Sequence, residues 1–70
     1  MLETDKKPTR LLRLKEVKHR TGLSRSSIYL MISENQFPRQ IQLSGNRSVA
    51  WVEQEIEEWI QMRIKLSNHT

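Results

Sequence analysis

Apolar positions recur along this chain with a period that changes twice. In residues 15–34 they lie about one turn apart, as in the pair Ile28 and Ile32, which indicates helix. In residues 39–51 apolar and polar side chains alternate, which is the period of a strand. Residues 52–66 return to the helical period. We therefore predict a mainly α fold with a small β-hairpin before the last helix.

A glycine-containing turn divides the first helical segment. Gly22 suits the left-handed conformation that ends a helix, because it has no Cβ to clash. Ser24 is a typical N-cap, whose hydroxyl accepts from the free amides of the next turn. Pro38 disfavours helix at the residue before it. We predict a first helix over residues 15–21 and a second over residues 25–34.

A hairpin and an amphipathic helix are predicted for the second half of the chain. Gly45 and Asn46 favour a tight turn between two alternating runs, because both residues tolerate positive φ. The hairpin is predicted to span residues 39–51. The last helix, residues 52–66, carries one apolar stripe, on which Trp59 is expected to face the first two helices and be buried. The stripe consists of Val52, Ile56, Trp59, Ile60 and Arg63.

The length of 70 residues predicts one small domain. Residues 1–9 are polar and contain a proline, which predicts a disordered N-terminal arm. Residues 11–14 are expected to form a short extended or first-turn segment. The domain is predicted to span residues 10–66, followed by a frayed tail over residues 67–70.

Charge is distributed unevenly along the chain. Residues 1–47 contain ten Lys/Arg and four Asp/Glu, a balance of +6, and residues 48–70 contain two and four, a balance of −2. Their sum is the net charge of +4. A basic front half favours a polyanion as partner. Because the sequence has no apolar signal region and no run long enough to span a bilayer, we expect a cytoplasmic, nucleoid-associated protein without membrane contact.

Two helices joined by a short turn and followed by a hairpin predict a winged helix-turn-helix, whose second helix enters the DNA major groove. Arginine can bond a phosphate or guanine there, and short serines permit a close approach. The predicted contacts of this helix are Arg25, Ser26, Ser27 and Tyr29. A narrow groove attracts an arginine on a compact loop. The predicted contacts of the hairpin are Asn46, Arg47 and Ser48.

Other interpretations of these patterns are structural. The serines can be a cap and a solvated surface, and Arg47 can simply solvate its turn. Trp51 and Trp59 can stack bases, but each lies on the apolar face of its predicted strand or helix, which favours a place in the core. His19 has no partner at ligand spacing, so no metal or other cofactor is expected. No serine has an evident base and orienting group, so we expect neither an enzyme nor a small-molecule substrate.

Three stretches of the sequence resemble the AlpA family of short prophage regulators, within the MerR-like and excisionase-like winged helix-turn-helix group. They read LLRLKEV, TGLSRSSIY and FPRQIQLSGNRSVAWVEQEIEEWI, and the likeness covers residues 10–64. The resemblance implies a bacterial DNA-binding protein that activates an integrase gene or directs excision. It places the wing on residues 44–48. Leu30 departs from the family, in which a polar or basic residue often follows the tyrosine; it either removes a DNA contact or supplies an apolar one, such as to a thymine methyl.

Two alternatives stay open at this point. The same fold serves an excisionase-like factor that bends DNA for recombination. In a different class, a protein-binding adaptor would act through the C-terminal helix, where Met62, Ile64 and Leu66 extend beyond the needs of a small core. Double-stranded DNA is the expected partner, and an integrase or a second copy of the chain is a further one.

Overall fold

The computed structural model describes residues 8–45 and 47–68 of the chain. Most of the predicted arm, the end of the predicted tail, and Asn46 therefore lie outside the described residues. Six elements follow one another: β1 (Leu11–Leu12), α1 (Leu14–Thr21), α2 (Arg25–Ser33), β2 (Ile41–Ser44), β3 (Ser48–Val52) and α3 (Glu53–Ser67). The predicted mainly α fold with a small hairpin is confirmed.

Local hydrogen bonds shape the turn between α1 and α2. Gly22 has a φ of 76° and donates its N–H to the carbonyl of Lys18 at 2.8 Å, so the predicted left-handed end of the first helix is confirmed. Thr21 donates its hydroxyl to the carbonyl of Val17 at 2.8 Å and accepts from the N–H of Leu23 at 3.2 Å. These bonds close the short turn between α1 and α2, which is the kind of connection that a helix-turn-helix has.

The sheet has three antiparallel strands in the order β1-β3-β2. Leu12 lies opposite Trp51, and Ile41 lies opposite Ala50. The segment predicted as extended or first-turn, residues 11–14, divides: its first two residues form β1 and Leu14 begins α1. A third strand was not predicted, because two residues are too short to show a period.

The core lies around β3, the central strand. Its residues Ala50 and Trp51 are both fully buried, although successive residues of a strand point to opposite faces. Strand β3 contacts both α1 and α3. Strand β2 is exposed at every position, including Ile41 and Leu43. The buried side chains are Leu12, Val17, Ile28, Ile32, Phe37, Ala50, Trp51 and Ile56.

The expected burial of Trp59 needs a correction. This side chain is half-buried, and its indole N–H donates to the carbonyl of Gln36 at 2.9 Å. Its ring packs edge-on against Phe37 with centroids 4.7 Å apart, while the guanidinium of Arg63 lies 5.0 Å from its centroid. The stripe of α3 therefore meets the segment that follows α2. Trp51, rather than Trp59, is the tryptophan at the centre of the core.

Helix α3 continues beyond the core. Ile56 is its buried residue, whereas every position from 61 to 68 is exposed. Ser67 ends the helix and Asn68 caps it. Among the described residues, no helix is both long and apolar enough to cross a membrane. The last two turns of α3 therefore present their side chains to solvent.

Candidate nucleic-acid interface

Helix α2 has one buried face and one exposed face. Ile28 and Ile32 enter the core, and Leu30, two residues from each, points away from them and is 58% exposed. Ser26 lies four residues before Leu30 and Ser33 three residues after it, so these three positions share the outer face. The outer face of α2 therefore presents the apolar side chain of Leu30 between the short hydroxyl side chains of Ser26 and Ser33.

The first turn of α2 shows how the serines differ. Ser24 caps the helix as predicted: its Oγ accepts from the N–H of Ser27 at 3.1 Å. The same hydroxyl donates to Oγ of Ser27 at 3.1 Å, and Ser27 is half-buried. Ser26 is exposed on the outer face. Of the two serines predicted to contact DNA, Ser26 is therefore the more accessible, and Ser27 also belongs to the cap.

A stack of side chains connects Arg25 to the core. The guanidinium of Arg25 lies 5.7 Å from the centroid of the Tyr29 ring, four residues later on α2. That ring packs edge-on against Trp51 at 6.2 Å, and Trp51 donates its indole N–H to the carbonyl of Pro38 at 3.1 Å. Tyr29 is consequently half-buried. The stack places the exposed guanidinium of Arg25 beside the ring of Tyr29.

Trp51 is a supporting residue that the sequence did not reveal as part of the site. Its apolar position in β3 indicated the core, which is where it lies. The contact between Arg25 and Tyr29 was not predicted, although residues four apart are neighbours on a helix. Nothing in the sequence indicated that Trp51 would lie behind the tyrosine.

The β2–β3 turn forms the predicted wing. Gly45 has a φ of 57°, as expected for this turn, and its carbonyl accepts from the side-chain amide of Gln42. The strand register shifts between Gln42 and Ser44, and Ser44 then pairs with Ser48. Arg47 is exposed at the turn, and Ser48 is half-buried in the strand. Asn46 lies outside the described residues, so its predicted contact has no structural account.

Two of the basic side chains already have an acidic partner. A carboxylate oxygen of Glu53, at the start of α3, lies 2.6 Å from the guanidinium of Arg20 and 4.0 Å from that of Arg10. The backbone N–H of Glu53 also donates to the carbonyl of Arg10 at 2.8 Å. These cations are less available to an external anion than their number suggests. Within residues 8–45 and 47–68, Arg25 and Arg47 are exposed and form no ion pair with an acidic side chain.

The described part of the chain contains no group of three or more His, Cys, Asp or Glu side chains placed to hold a metal ion. His19 is exposed on α1. The chemistry that this surface offers is therefore that of hydroxyls, guanidinium groups and one apolar side chain.

Comparison with known proteins adds an independent observation. A family model described as prophage CP4-57 regulatory protein (AlpA) matches residues 10–64. The DNA-binding transcriptional activator AlpA of Escherichia coli strain K12 is 40% identical over 63 residues, which cover 81% of this chain and 89% of the activator. The uncharacterized protein ORF88 of Enterobacteria phage P4 is 47% identical over 55 residues. That match covers 79% of this chain but only 61% of the phage protein.

Proposed function

The chain belongs to the AlpA family of prophage regulatory proteins, and from this premise we propose that it is a sequence-specific, double-stranded DNA-binding regulator of transcription. The observation that carries the proposal is the exposure of α2. This helix begins at Arg25, follows the short turn after α1, and exposes both Arg25 and its outer face. In this architecture the second helix enters the major groove. The name of the Escherichia coli relative supports the same partner.

Arg25 is the residue proposed to read a base. A guanidinium can bond O6 and N7 of guanine together, which is the commonest specific contact in the major groove. The ring of Tyr29 lies beside this guanidinium, so the arginine is partly ordered before it meets DNA. Ordering in advance reduces the entropy lost on binding. Ser26 is proposed to bond a base edge or a phosphate, and Tyr29 a phosphate through its hydroxyl.

Arg47 is the residue proposed to act from the wing. It is exposed beside Gly45, at the tip of a two-stranded ribbon. A narrow minor groove has a stronger negative potential, which attracts an arginine from such a loop. Asn46 and Ser48 are proposed to contact the backbone next to it. The wing would therefore add affinity and sensitivity to groove width, while α2 reads the bases.

The regulated gene is proposed to be an integrase or excision gene, as the family resemblance implies. An excisionase-like factor that bends DNA is the alternative within this class. Reporter transcription and a DNA-bending assay on the same upstream fragment separate the two. Activation without a bend supports the regulator, and a strong bend without any change in transcription supports the architectural factor.

Fluorescence anisotropy with a labelled duplex tests the proposal. Each neutralised phosphate contributes a slope of about −0.9 to the plot of log affinity against log salt, so about five contacts predict a slope near −4 to −5. Binding sites are first selected from a library of random duplexes. The wild type should prefer a selected site over a scrambled duplex, and Arg25→Ala should lose this preference. Failure to bind any duplex at low salt, or affinity that does not change with salt, would reject the proposal.

Self-association through α3 is a second candidate function, because the last turns of this helix expose Met62, Ile64 and Leu66. A groove next to them has Arg39 and Ile41 on one side and Glu55, Glu58, Trp59 and Met62 on the α3 side. Its two sides carry opposite charges. A second copy related by a two-fold axis would place each basic side against an acidic one.

Sedimentation of charge-reversed variants tests this second candidate. Arg39→Glu and the double variant Glu55→Lys/Glu58→Lys should each be monomeric, because like charges would face each other across the two-fold axis. A 1:1 mixture of the two should dimerise, because both contacts become complementary again. A wild-type protein that remains monomeric at high concentration, or a mixture that does not associate, argues against self-association.

A further inference from the structure

Leu30 is a large apolar side chain in the middle of the face proposed to read DNA. It is 58% exposed, and the core side of α2 carries Ile28 and Ile32. Its neighbours on the outer face, Ser26 and Ser33, each have a single heavy atom beyond Cβ, whereas leucine has three. Leu30 therefore projects further from the helix than the side chains around it, and it is a natural first point of contact for a surface that meets α2.

Two of the hydroxyls near Leu30, those of Ser27 and Ser33, have partners inside the protein. Ser33 donates its hydroxyl to the carbonyl of Leu30 at 2.6 Å. Ser27, three residues before Leu30, accepts from the hydroxyl of Ser24 at 3.1 Å. These bonds reduce the polarity of the surface next to Leu30. The centre of the outer face is consequently less polar than its serine content suggests, and it suits an apolar group.

We propose that Leu30 recognises the C5-methyl group of a pyrimidine in the major groove; this inference rests on the proposed function. Among the base edges in that groove, the methyl group of thymine is the apolar one, and apolar side chains are what contact it. 5-Methylcytosine presents the same group at the same position. Leu30 therefore determines specificity by packing, whereas Arg25, five residues earlier on α2, is proposed to read a base through hydrogen bonds.

The test begins with selection of binding sites for the full chain from a library of random duplexes. Each thymine in the selected site is then replaced singly by deoxyuridine, which lacks only the methyl group. One or two positions should weaken binding about fourfold, from about 0.8 kcal/mol per buried carbon and 1.4 kcal/mol per tenfold change. Leu30→Gln should bind thymine and deoxyuridine duplexes equally, and Leu30→Met should still distinguish them.

A control of the same residue type is Leu11→Gln on β1, where the side chain is 38% exposed. It should keep the wild-type preference for thymine. A second selection, from a library in which every cytosine is methylated, identifies the source of the methyl group. If thymine is kept at the position where deoxyuridine weakened binding, the contact is specific for thymine. If 5-methylcytosine replaces thymine at that position, the contact accepts either methylated base. Both outcomes support the inference.

Two results would overturn it in distinguishable ways. If the protein binds its selected site but every deoxyuridine substitution is neutral, or Leu30→Gln still prefers thymine, the Leu30 contact is wrong and the proposed function stands. If the folded protein binds no duplex, the proposed function and the contact fail together. Circular dichroism of each variant establishes that it is folded.

Discussion

The two tryptophans provide a sharp test of the fold, because the sequence presents them alike and the structure does not. Trp51 is fully buried in the central strand, and its indole N–H is bonded to the carbonyl of Pro38. Trp59 is half-buried on α3, and Arg63 covers part of its ring. We predict that replacing each with alanine destabilises the protein to a different extent.

Trp51→Ala should be the more severe change. Truncation of a buried tryptophan costs about 3–5 kcal/mol, through lost burial and the cavity that remains. A stability of roughly 0.05–0.15 kcal/mol per residue corresponds to about 4–10 kcal/mol for 70 residues. The loss is comparable to the whole free energy of unfolding at the lower end of this range. We expect the Trp51→Ala protein to be largely unfolded at 37 °C.

Trp59→Ala should leave a folded protein. Burial of about half the side chain implies about half the cost, roughly 2 kcal/mol. Loss of the contact with Arg63 adds about 0.5–1 kcal/mol, the value for an exposed cation–π pair. At about 4–8 °C per kcal/mol for a domain of this size, Tm should fall by roughly 10–20 °C. DNA binding should persist below the new Tm.

Thermal melting and urea titration followed by circular dichroism measure both effects, beside a duplex titration at a temperature where the variant is folded. Equal losses of stability in the two variants would contradict the difference in burial. A Trp59→Ala protein with the wild-type Tm but no affinity for DNA would show that Trp59 stacks on a base or anchors a partner. Either result would refute the reasoning from burial.

Three further predictions concern four residues outside the core. Arg25→Ala should cost about 1–3 kcal/mol on the selected site and relax its base preference, whereas Arg47→Ala should weaken selected and scrambled duplexes evenly; anisotropy measures both, and an unfolded Arg47→Ala protein would mean a structural role. Glu53→Gln should lower the free energy of unfolding by less than about 1 kcal/mol in urea titration, since ion pairs near the surface contribute little; a loss above 2 kcal/mol would mean that the pairs organise the fold. Gly22→Ala should cost about 1–2 kcal/mol for its φ of 76°, with Gly22→Asn costing less; equal losses in thermal melts would contradict a conformational origin.

The features predicted correctly from the sequence depend on residues close together in the chain. Gly22 and Ser24 determine the turn through bonds to residues three or four positions away. The hairpin follows from its alternation and from Gly45, whose positive φ is confirmed. Such bonds are encoded locally, because the partners are brought together by the helix or turn itself.

The features that the sequence did not predict depend on contacts between distant residues. Strand β1 exists because Leu12 pairs with Trp51, 39 positions later. Arg20 and Glu53 are 33 positions apart, and their ion pair removes an apparently free cation from the basic front half. The helical period of α3 placed Trp59 on the apolar stripe, but the expected burial against the first two helices was wrong, because its ring packs on Phe37 in the segment that follows α2. The contacts with DNA stay predictions, because neither a period nor a spacing fixes how a surface meets its partner.

The two edge strands of the sheet affect how readily the protein aggregates at high concentration. An outer strand with exposed apolar residues is a template for strands of other molecules, and β2 is such a strand, with Ile41 and Leu43 exposed. The register shift between Gln42 and Ser44 breaks the regularity of this edge. The opposite edge, β1, is only two residues long. Across residues 8–45 and 47–68, neither edge of the sheet is both long and regular, which limits fibril-like stacking of native molecules although Gly45 and Arg47 are exposed at the tip of the hairpin.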